Sequence, residues 1–309
     1  MTETRSLTET LVADLCTIGL VQGDAVLVRC AARPIAPRAK AVASTLLDAL
    51  LEAVGPTGTV VALTFTDVQK ASEKKPVAIF SDDARTTAGA FASAVLRHPG
   101  RKRSTHPSNS IAAIGARADF LVDAHTEQAL PFSWMRRLIE ISGKQLVIGC
   151  VTQNINMFGF AESPGLSTVH FTQEELGLSD KTFLSGTEGC FVAEPGGEPR
   201  WTPRIHLPGC SLGFWKMYGH YVRAGILHTG LVGGAYSILV ATAEAAEVER
   251  SIMADNPRVV LCDRPYCTSC GSWSYARRRL PALASATLLL KAKAAHNKIL
   301  RRRSPRTRA

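Results

Sequence analysis

The chain has 309 residues, of which 46% are hydrophobic, enough for one large buried core or two small ones. It contains no stretch of about 20 apolar residues that could cross a bilayer, and its first residues lack the pattern of a secretory signal, so we expect a cytoplasmic protein. The formal net charge of +10 arises in one segment, because residues 277–309 carry eleven bases and no acid. The remaining 25 bases and 26 acids nearly cancel, which argues against a body built to bind nucleic acid.

The predicted elements alternate between helices with apolar periodicity and short apolar strands. In chain order they are a helix over 7–18, a strand over 25–28, a helix over 41–54, a strand over 59–63, a helix over 90–96, a strand over 111–114, a helix over 117–122, a strand over 145–149, a β-rich stretch over 180–205, a helix over 214–224, a strand over 236–240 and a helix over 243–255. This alternation predicts an α/β fold, a single mixed domain whose largely buried central sheet has helices on both faces, with a smaller β-rich insertion. We expect this domain to span 1–260, a Cys-rich loop 261–275 and a basic amphipathic or disordered tail 276–309.

Several short motifs follow one another in a fixed order along the body of the chain. They are Gly55-Pro56-Thr57-Gly58, Thr87-Ala88-Gly89, the run from Arg103 to Gly115, His125 with Pro131-Phe132, Ala161-Glu162, and the glycine-rich run 230–235. In this order and spacing the chain resembles the aminoglycoside 3-N-acetyltransferase family from about residue 7 to about residue 260. The resemblance implies transfer of an acetyl group from acetyl-CoA to an amine of an aminoglycoside or another amino sugar.

Two segments are candidates for binding the acetyl-CoA. Thr87 and Gly89 stand at a predicted helix start, where backbone N–H groups are free to meet a phosphate or the pantetheine chain. The other candidates precede a strand on a polar loop: Arg103, Ser104, His106 and Ser110. The alternative is a strand-entry loop whose serines and histidine satisfy local backbone groups. The sequence has no Gly-x-Gly-x-x-Gly, so we do not expect a dinucleotide site.

The general base is where the chain departs from its relatives. The family carries a Thr, a His three residues later and a Glu three residues beyond, all on one helical face; here these positions are Asn156, Gly159 and Glu162. Glycine cannot accept a proton, so Glu162 remains with its imidazole partner deleted, and His125 and His170 become the candidate substitutes. The alternative is a catalytically silent binding or scaffold protein that keeps the acyltransferase fold.

The acceptor pocket is also altered. Arg29 and Ala31 stand where family members commonly carry His and Ser in the first active-site loop. The stretch after His125 is about two residues shorter than in those relatives. An enzyme that takes polycationic substrates is expected to be acidic, whereas this body is neutral. We therefore expect a less cationic amine, such as that of a nucleotide-linked or lipid-linked sugar.

Three cysteines cluster near the end of the predicted domain: Cys262, Cys267 and Cys270. Thiolates at this spacing converge on Zn²⁺, but a closed structural site needs four ligands, for which Cys210 and His206 are candidates. The alternative is a cysteine-rich surface loop without metal.

The basic tail places small and apolar residues between lysines over 280–300 and ends in Arg301-Arg302-Arg303. A basic helix of this kind binds the surface of an anionic membrane. A plain solubilising tail fits the composition equally well, and nucleic acid less well, because the run lacks aromatic and base-reading elements.

Overall fold

A computed structural model describes residues 6–36, 41–73, 75–150, 154–155, 161–162, 166–178, 184–205, 211–264, 267 and 270. The α-helices are α1 (Leu7–Thr17), α2 (Val42–Val54), α3 (Ala90–Arg97), α4 (Ala118–Val122), α5 (Met135–Glu140), α6 (Thr168–Glu175), α7 (Tyr218–Ala224) and α8 (Thr242–Asp255), with 3-10 helices at Ser211–Met217 and Pro257–Val260. The strands are β1 (Ala25–Cys30), β2 (Thr59–Leu63), β3 (Gln69–Lys70), β4 (Ile79–Phe80), β5 (Lys102–Arg103), β6 (Ile111–Gly115), β7 (Lys144–Ile148), β8 (Asn154–Ile155), β9 (Ala161–Glu162), β10 (Leu184–Val192), β11 (Arg200–Ile205), β12 (His228–Val232) and β13 (Ala235–Ala241). Within these ranges no helix has the length and apolar character needed to span a bilayer.

The central sheet has seven strands in the order β12-β13-β7-β1-β2-β6-β5. The middle strand β1 runs parallel to both neighbours, with Leu27 opposite Val61 of β2 and Gln145 of β7. The outer strands add antiparallel, so the sheet is mixed. The carboxyl ends of β1, β2 and β7 therefore meet at one edge, where ligands bind in open α/β sheets.

The sheet is covered on both faces because its strands are apolar on both sides. Along β1, Val26 and Val28 join a core with α1, α2 and α3, whereas Ala25 and Leu27 join a second core with α4 and α5. A third core packs α6, α7 and α8 against β7 and β13. The predicted α/β fold with helices on both faces is confirmed.

The predicted β-rich insertion is also confirmed. Strands β10 and β11 pair antiparallel, and β10 also pairs with β3 and β4, two-residue strands that the sequence pattern does not reveal. A close approach is required at Gly189, where a Cβ would lie 2.3 Å from the carbonyl oxygen of Thr202.

The structure corrects the sequence prediction at Glu162. Glu162 lies in the two-residue strand β9, paired through Asn154, and not on a helix. The glycine-rich run at 230–235 belongs to a β-hairpin, whose turn residues Gly233 and Gly234 have φ of 58° and 82°. Asn156, Gly159, His206, Cys210 and the predicted tail 276–309 lie outside the described residues.

Candidate active site

A cavity of about 250 Å³ opens at the carboxyl edge of the three parallel strands. Its lining includes Arg29 and Cys30 at the end of β1, Leu63 at the end of β2, and Cys150 just after β7. The far wall is formed by Phe65 and by Ala88, Phe91 and Ala92 at the start of α3. The cavity is thus bounded by strand ends on one side and a helix N-terminus on the other.

The α3 end of the cavity is exposed and open. Gly89, the residue before the helix, has φ 98°, and a Cβ built there would have no neighbour within 4 Å. Thr86 and Thr87 fasten this turn to the strand extension, since the Thr86 hydroxyl and the Thr87 N–H both donate to the carbonyl of Phe65. The turn therefore holds free first-turn N–H groups of α3 beside the cavity.

The electrostatics of the cavity come from Arg29 and two thiols. Burial lowers the pKa of the Arg29 guanidinium, and the neighbouring Cys150 opposes that shift. Burial, with a further contribution from Cys150, raises the pKa of the Cys30 thiol to about 12. Burial also raises the pKa of Cys150, against the pull of Arg29. Both thiols are therefore protonated near neutral pH, and Arg29 supplies the positive charge.

The other predicted cofactor residues are buried. The Arg103 guanidinium donates to the carbonyls of Ser81, Asp82, Ala84 and Thr64 and to the hydroxyls of Ser110 and Thr66, at 2.6–3.3 Å. Burial lowers its pKa to about 10. The N–H groups of the Arg103 guanidinium are thus used in hydrogen bonds within the protein.

Ser104, His106 and Ser110 belong to the same network. The Ser110 hydroxyl donates to the Thr64 carbonyl at 2.7 Å, and Ser104 accepts from the Ile111 N–H at 2.9 Å. The His106 Nδ1 accepts from the Asn109 N–H at 3.0 Å. The two predicted halves of the cofactor site are linked through residues 64–66, which bond to the 108–110 loop on one side and to Thr87 on the other.

His125 stacks on His106 in this core. The ring centroids are 4.7 Å apart with an interplanar angle of 14°, and the His125 Nδ1 lies 3.0 Å from the Ser104 hydroxyl. His125 is 0% exposed, and burial together with the neighbouring His106 lowers its pKa to about 3. His125 is neutral and closed off from solvent.

His170 is the more accessible histidine. It is half-buried on α6, between Phe132, whose ring stacks on it at 4.5 Å, and Phe214, whose ring meets it edge-on at 4.6 Å. Burial, and then the positive charges of Arg29 and Arg204, lower its pKa to about 3. Its Nδ1 is buried and has no hydrogen-bond partner among the described residues. Arg29 thus acts both on the cavity and on His170.

Sequence reasoning missed Glu174, which lies one turn beyond His170 on α6. Its carboxylate accepts the Phe132 N–H at 3.0 Å, so both side chains contact Phe132. Burial raises the pKa of Glu174 to about 8. The spacing of four residues between His170 and Glu174 was the available signal, because i and i+4 share a helical face.

Comparison with known proteins identifies related sequences. The profile of the aminoglycoside 3-N-acetyltransferase family matches residues 27–254. Aminoglycoside N(3)-acetyltransferase III of a Salmonella species is 30% identical over 162 residues, 47% of this chain and 56% of that protein. The enzyme of the same name from Serratia marcescens is 26% identical over 259 residues, 75% of this chain and 91% of that protein. The chain thus spans about half the length of the first of these relatives.

Solved structures share the fold. The structure described as AAC-IIIb binary with CoASH superposes with a TM-score of 0.64 at 22% identity, covering 81% of this chain and 97% of the other. The structure described as AAC-VIa bound to sisomicin superposes with a TM-score of 0.64 at 24% identity, covering 82% of this chain and 98% of the other.

Proposed function

The chain belongs to the aminoglycoside 3-N-acetyltransferase family, and on this premise we propose that it transfers an acetyl group from acetyl-CoA to an amino group of an aminoglycoside or another amino sugar. The observation that carries the proposal is the extent of the family match. Residues 27–254 include nearly all of the central sheet and the whole lining of the cavity at its carboxyl edge. Two proteins of the same fold are described as bound to CoASH, which is what acetyl-CoA becomes on losing its acetyl group, and to sisomicin.

We assign the cofactor to the cavity between the strand ends and α3. The pantetheine arm enters past Ala88 and Phe91, and the first turn of α3 meets the anionic part through its free N–H groups. Thr87 and Gly89 then act directly, as the sequence suggested. The polar loop acts indirectly, because its side chains hold residues 64–66 in place and the Thr87 turn is hydrogen-bonded to Phe65. The residues of this loop with that positioning role are Arg103, Ser104, His106 and Ser110.

The transfer is direct in this proposal. The acceptor nitrogen attacks the thioester carbonyl, and the new C–N bond forms as the C–S bond breaks. The amine proton passes to a base, the sulfur leaves as the thiolate of CoA, and the base then returns that proton to the thiolate. An acyl-enzyme on Cys30 or Cys150 is disfavoured, because burial keeps both thiols protonated.

We propose His170 as the base that replaces the missing imidazole. It is half-buried, it lies in the field of Arg29, and its Nδ1 is unpartnered within the described part of the chain. An anionic cofactor beside Arg29 offsets one of the charges that lower the His170 pKa, and so moves the imidazole toward the basicity that proton transfer needs. Glu162 and His125 stay as the other candidates that the sequence named.

We also propose that the protein acts in the cytoplasm, close to the inner face of the membrane. Acetyl-CoA is a cytoplasmic metabolite, and the eleven bases from Arg277 onward favour contact with the anionic inner face of the membrane. A tail of this charge would hold the enzyme near a lipid-linked amino sugar.

Two measurements test the proposed function. Calorimetric titration with acetyl-CoA should give a dissociation constant below about 1 mM, and a panel of amino sugars should include one that releases CoA thiol in proportion to acetylated product. Absence of binding at millimolar acetyl-CoA would remove the proposal. Binding without transfer, with transfer appearing in a Gly159→His variant, would instead favour the silent scaffold.

A matched pair of variants locates the cofactor. Ala88 is exposed and lines the cavity just before the first turn of α3, so Ala88→Asp places a negative charge close to the proposed path of the anionic cofactor, while Ala88→Asn adds the same bulk without the charge. The Asp variant should raise the KM for acetyl-CoA at least about tenfold over the Asn variant. Equal KM values would move the cofactor to another site.

A further inference from the structure

The three clustered cysteines converge in space as well as in sequence. The sulfur atoms of Cys262, Cys267 and Cys270 all lie within 4.8 Å of one another, and those of Cys262 and Cys270 are 3.6 Å apart. A disulfide would require about 2.05 Å. Four sulfurs around Zn²⁺ at about 2.3 Å form a tetrahedron with edges of about 3.8 Å. The 3.6 Å separation of the Cys262 and Cys270 sulfurs is close to this edge.

Backbone N–H groups point at these sulfurs. The Cys262 N–H donates to the Cys270 sulfur at 3.4 Å, and the Cys270 N–H donates to the Cys267 sulfur at 3.4 Å. Hydrogen bonds of this kind favour the thiolate over the thiol, and they hold ligands in the orientation that a metal needs.

The cysteine cluster is packed against a small hydrophobic core. Leu261, Cys262 and Cys270 form a small buried core against which Leu178 and Leu212 pack. The Lys216 ammonium donates to the Leu261 carbonyl at 2.8 Å and pairs with Asp263 at 2.5 Å, so it clamps the chain on both sides of Cys262.

The backbone around Cys262 also approaches the 3-10 helix Ser211–Met217 closely. A Cβ at Gly213 would lie 2.2 Å from the Val260 carbonyl oxygen, a contact that only glycine permits. The segment that carries Cys262 is therefore held in place independently of any metal, as a preorganised site requires.

We propose that Cys262, Cys267 and Cys270 are three ligands of a structural zinc ion. Three clustered sulfur ligands select zinc over the hard cations, which prefer oxygen. For the fourth ligand the sequence offers Cys210, two residues before Leu212, and His206. The site joins the end of the family-like domain to the segment before the basic tail, and it is separate from the cavity proposed for acetyl-CoA.

The first test is the metal content of the full chain, purified under reducing conditions without a metal-affinity tag. Plasma mass spectrometry should find about one equivalent of zinc per chain. Less than about 0.1 equivalent, or a full equivalent of iron or copper, overturns the proposal. A Cys262–Cys270 disulfide found by peptide mapping also overturns it.

Variants assign the ligands. Cys267→Ser and Cys270→Ser should each lower bound zinc at least about tenfold, whereas Cys16→Ser and Cys190→Ser should keep it, since those sulfurs lie outside the cluster. Zinc retained in both cluster variants refutes the assignment. Because Cys270 is buried and its variant can misfold, cobalt substitution of the intact wild type serves as a second readout. The thiolate-to-cobalt charge-transfer band should appear, and its absence counts against the site.

The fourth ligand is identified in the same assay. Cys210→Ser or His206→Ala should release zinc if that residue completes the tetrad. Full zinc in both variants, with wild-type zinc at one equivalent, supports three protein thiolates and a fourth ligand from elsewhere.

Discussion

His106, His125 and His170 lie in different surroundings. Burial lowers the pKa of His106 to about 4 and those of His125 and His170 to about 3, so all three are neutral at pH 7. What separates them is access. His106 and His125 stack on each other in the core, while His170 sits half-buried between two phenylalanine rings near Arg29.

We predict that His170→Ala lowers kcat by about 100-fold or more, the usual loss when a positioned base is removed. Binding of acetyl-CoA should change little, because His170 is not part of the cavity lining. Steady-state kinetics and calorimetric titration of the same preparation measure the two quantities.

His125→Ala is the matched comparison. It removes one ring of a buried stack and the partner of Ser104, so it should lower the free energy of unfolding by about 2–4 kcal/mol. If His125→Ala abolishes kcat at unchanged stability while His170→Ala keeps it, the roles of the two histidines are reversed.

The Arg103 guanidinium is expected to stabilise the fold and not to bind the cofactor. Arg103→Lys keeps the charge but loses the fork that reaches several carbonyls at once, so it should cost about 2–4 kcal/mol of unfolding free energy. Denaturant titration measures that loss, and acetyl-CoA affinity of the folded variant should stay within about threefold. A large loss of affinity at wild-type stability would instead show that the guanidinium binds the cofactor.

The sequence could locate the polar loop but not the direction in which its side chains point. Arg103, Ser104 and Ser110 are a reasonable phosphate-binding set by residue type. The observed network uses them to satisfy the carbonyl of Thr64 and the N–H of Ile111, an outcome that depends on how the loop folds against residues 64–66. That folding is tertiary information.

Among the elements, α6 connects most directly to the proposed chemistry. His170 and Glu174 lie on its side toward Phe132. Thr168 and Thr172 both donate to the Glu249 carboxylate of α8 at 2.7 Å. The sequence does not predict this helix, because a buried helix is recognised by apolar residues at helical spacing and several buried positions of α6 are polar.

Glu249 fixes α6 to α8, and its titration should be visible in stability. It is 0% exposed and also accepts from the Tyr221 hydroxyl, and burial raises its pKa from 4.5 to about 7. A carboxyl whose folded-state pKa is raised stabilises the fold below the unfolded pKa, and the benefit is lost as the pH rises through about 7. Burial in the folded protein therefore favours the protonated carboxyl of Glu249 over its carboxylate.

We predict that Glu249→Gln gains on wild type as the pH rises. A carboxyl pKa raised from 4.5 to about 7 corresponds to about 3 kcal/mol of unfolding free energy. The unfolding free energy of the variant minus that of wild type should therefore increase by an amount of this order between about pH 5 and pH 8.5. Urea titrations at both pH values measure the difference. A difference that is constant with pH would mean that Glu249 is ionised throughout, held by its three hydroxyl donors and Arg250.

The strands show which elements a single sequence reveals. β1, β2, β6 and β7 were predicted because each is a short apolar run buried on both faces. The two-residue strands β3, β4 and β9 have no such run, because their pairing comes from partners distant in sequence. This is why Glu162 was expected on a helix and is found on a strand.

The charge of the protein is unevenly divided along the chain. The first 276 residues carry a net charge of −1, and the eleven bases that raise the total to +10 all follow Ala276. The family match ends at residue 254, well before them. We therefore expect the fold and the proposed transfer chemistry to reside in the neutral part, and we propose that the tail contributes only attraction to anionic surfaces.

Removing residues 277–309 should separate these contributions. Each base near an anionic bilayer contributes about 1 kcal/mol, so the full chain should sediment with phosphatidylserine vesicles at low salt and be released as salt screens the charges. The shortened chain should stay in the supernatant with the same kcat/KM for acetyl-CoA and a soluble acceptor. Neutral phosphatidylcholine vesicles, which should bind neither form, are the control. Equal sedimentation of both forms would place the attraction in the body, where a net charge of −1 gives no reason to expect it.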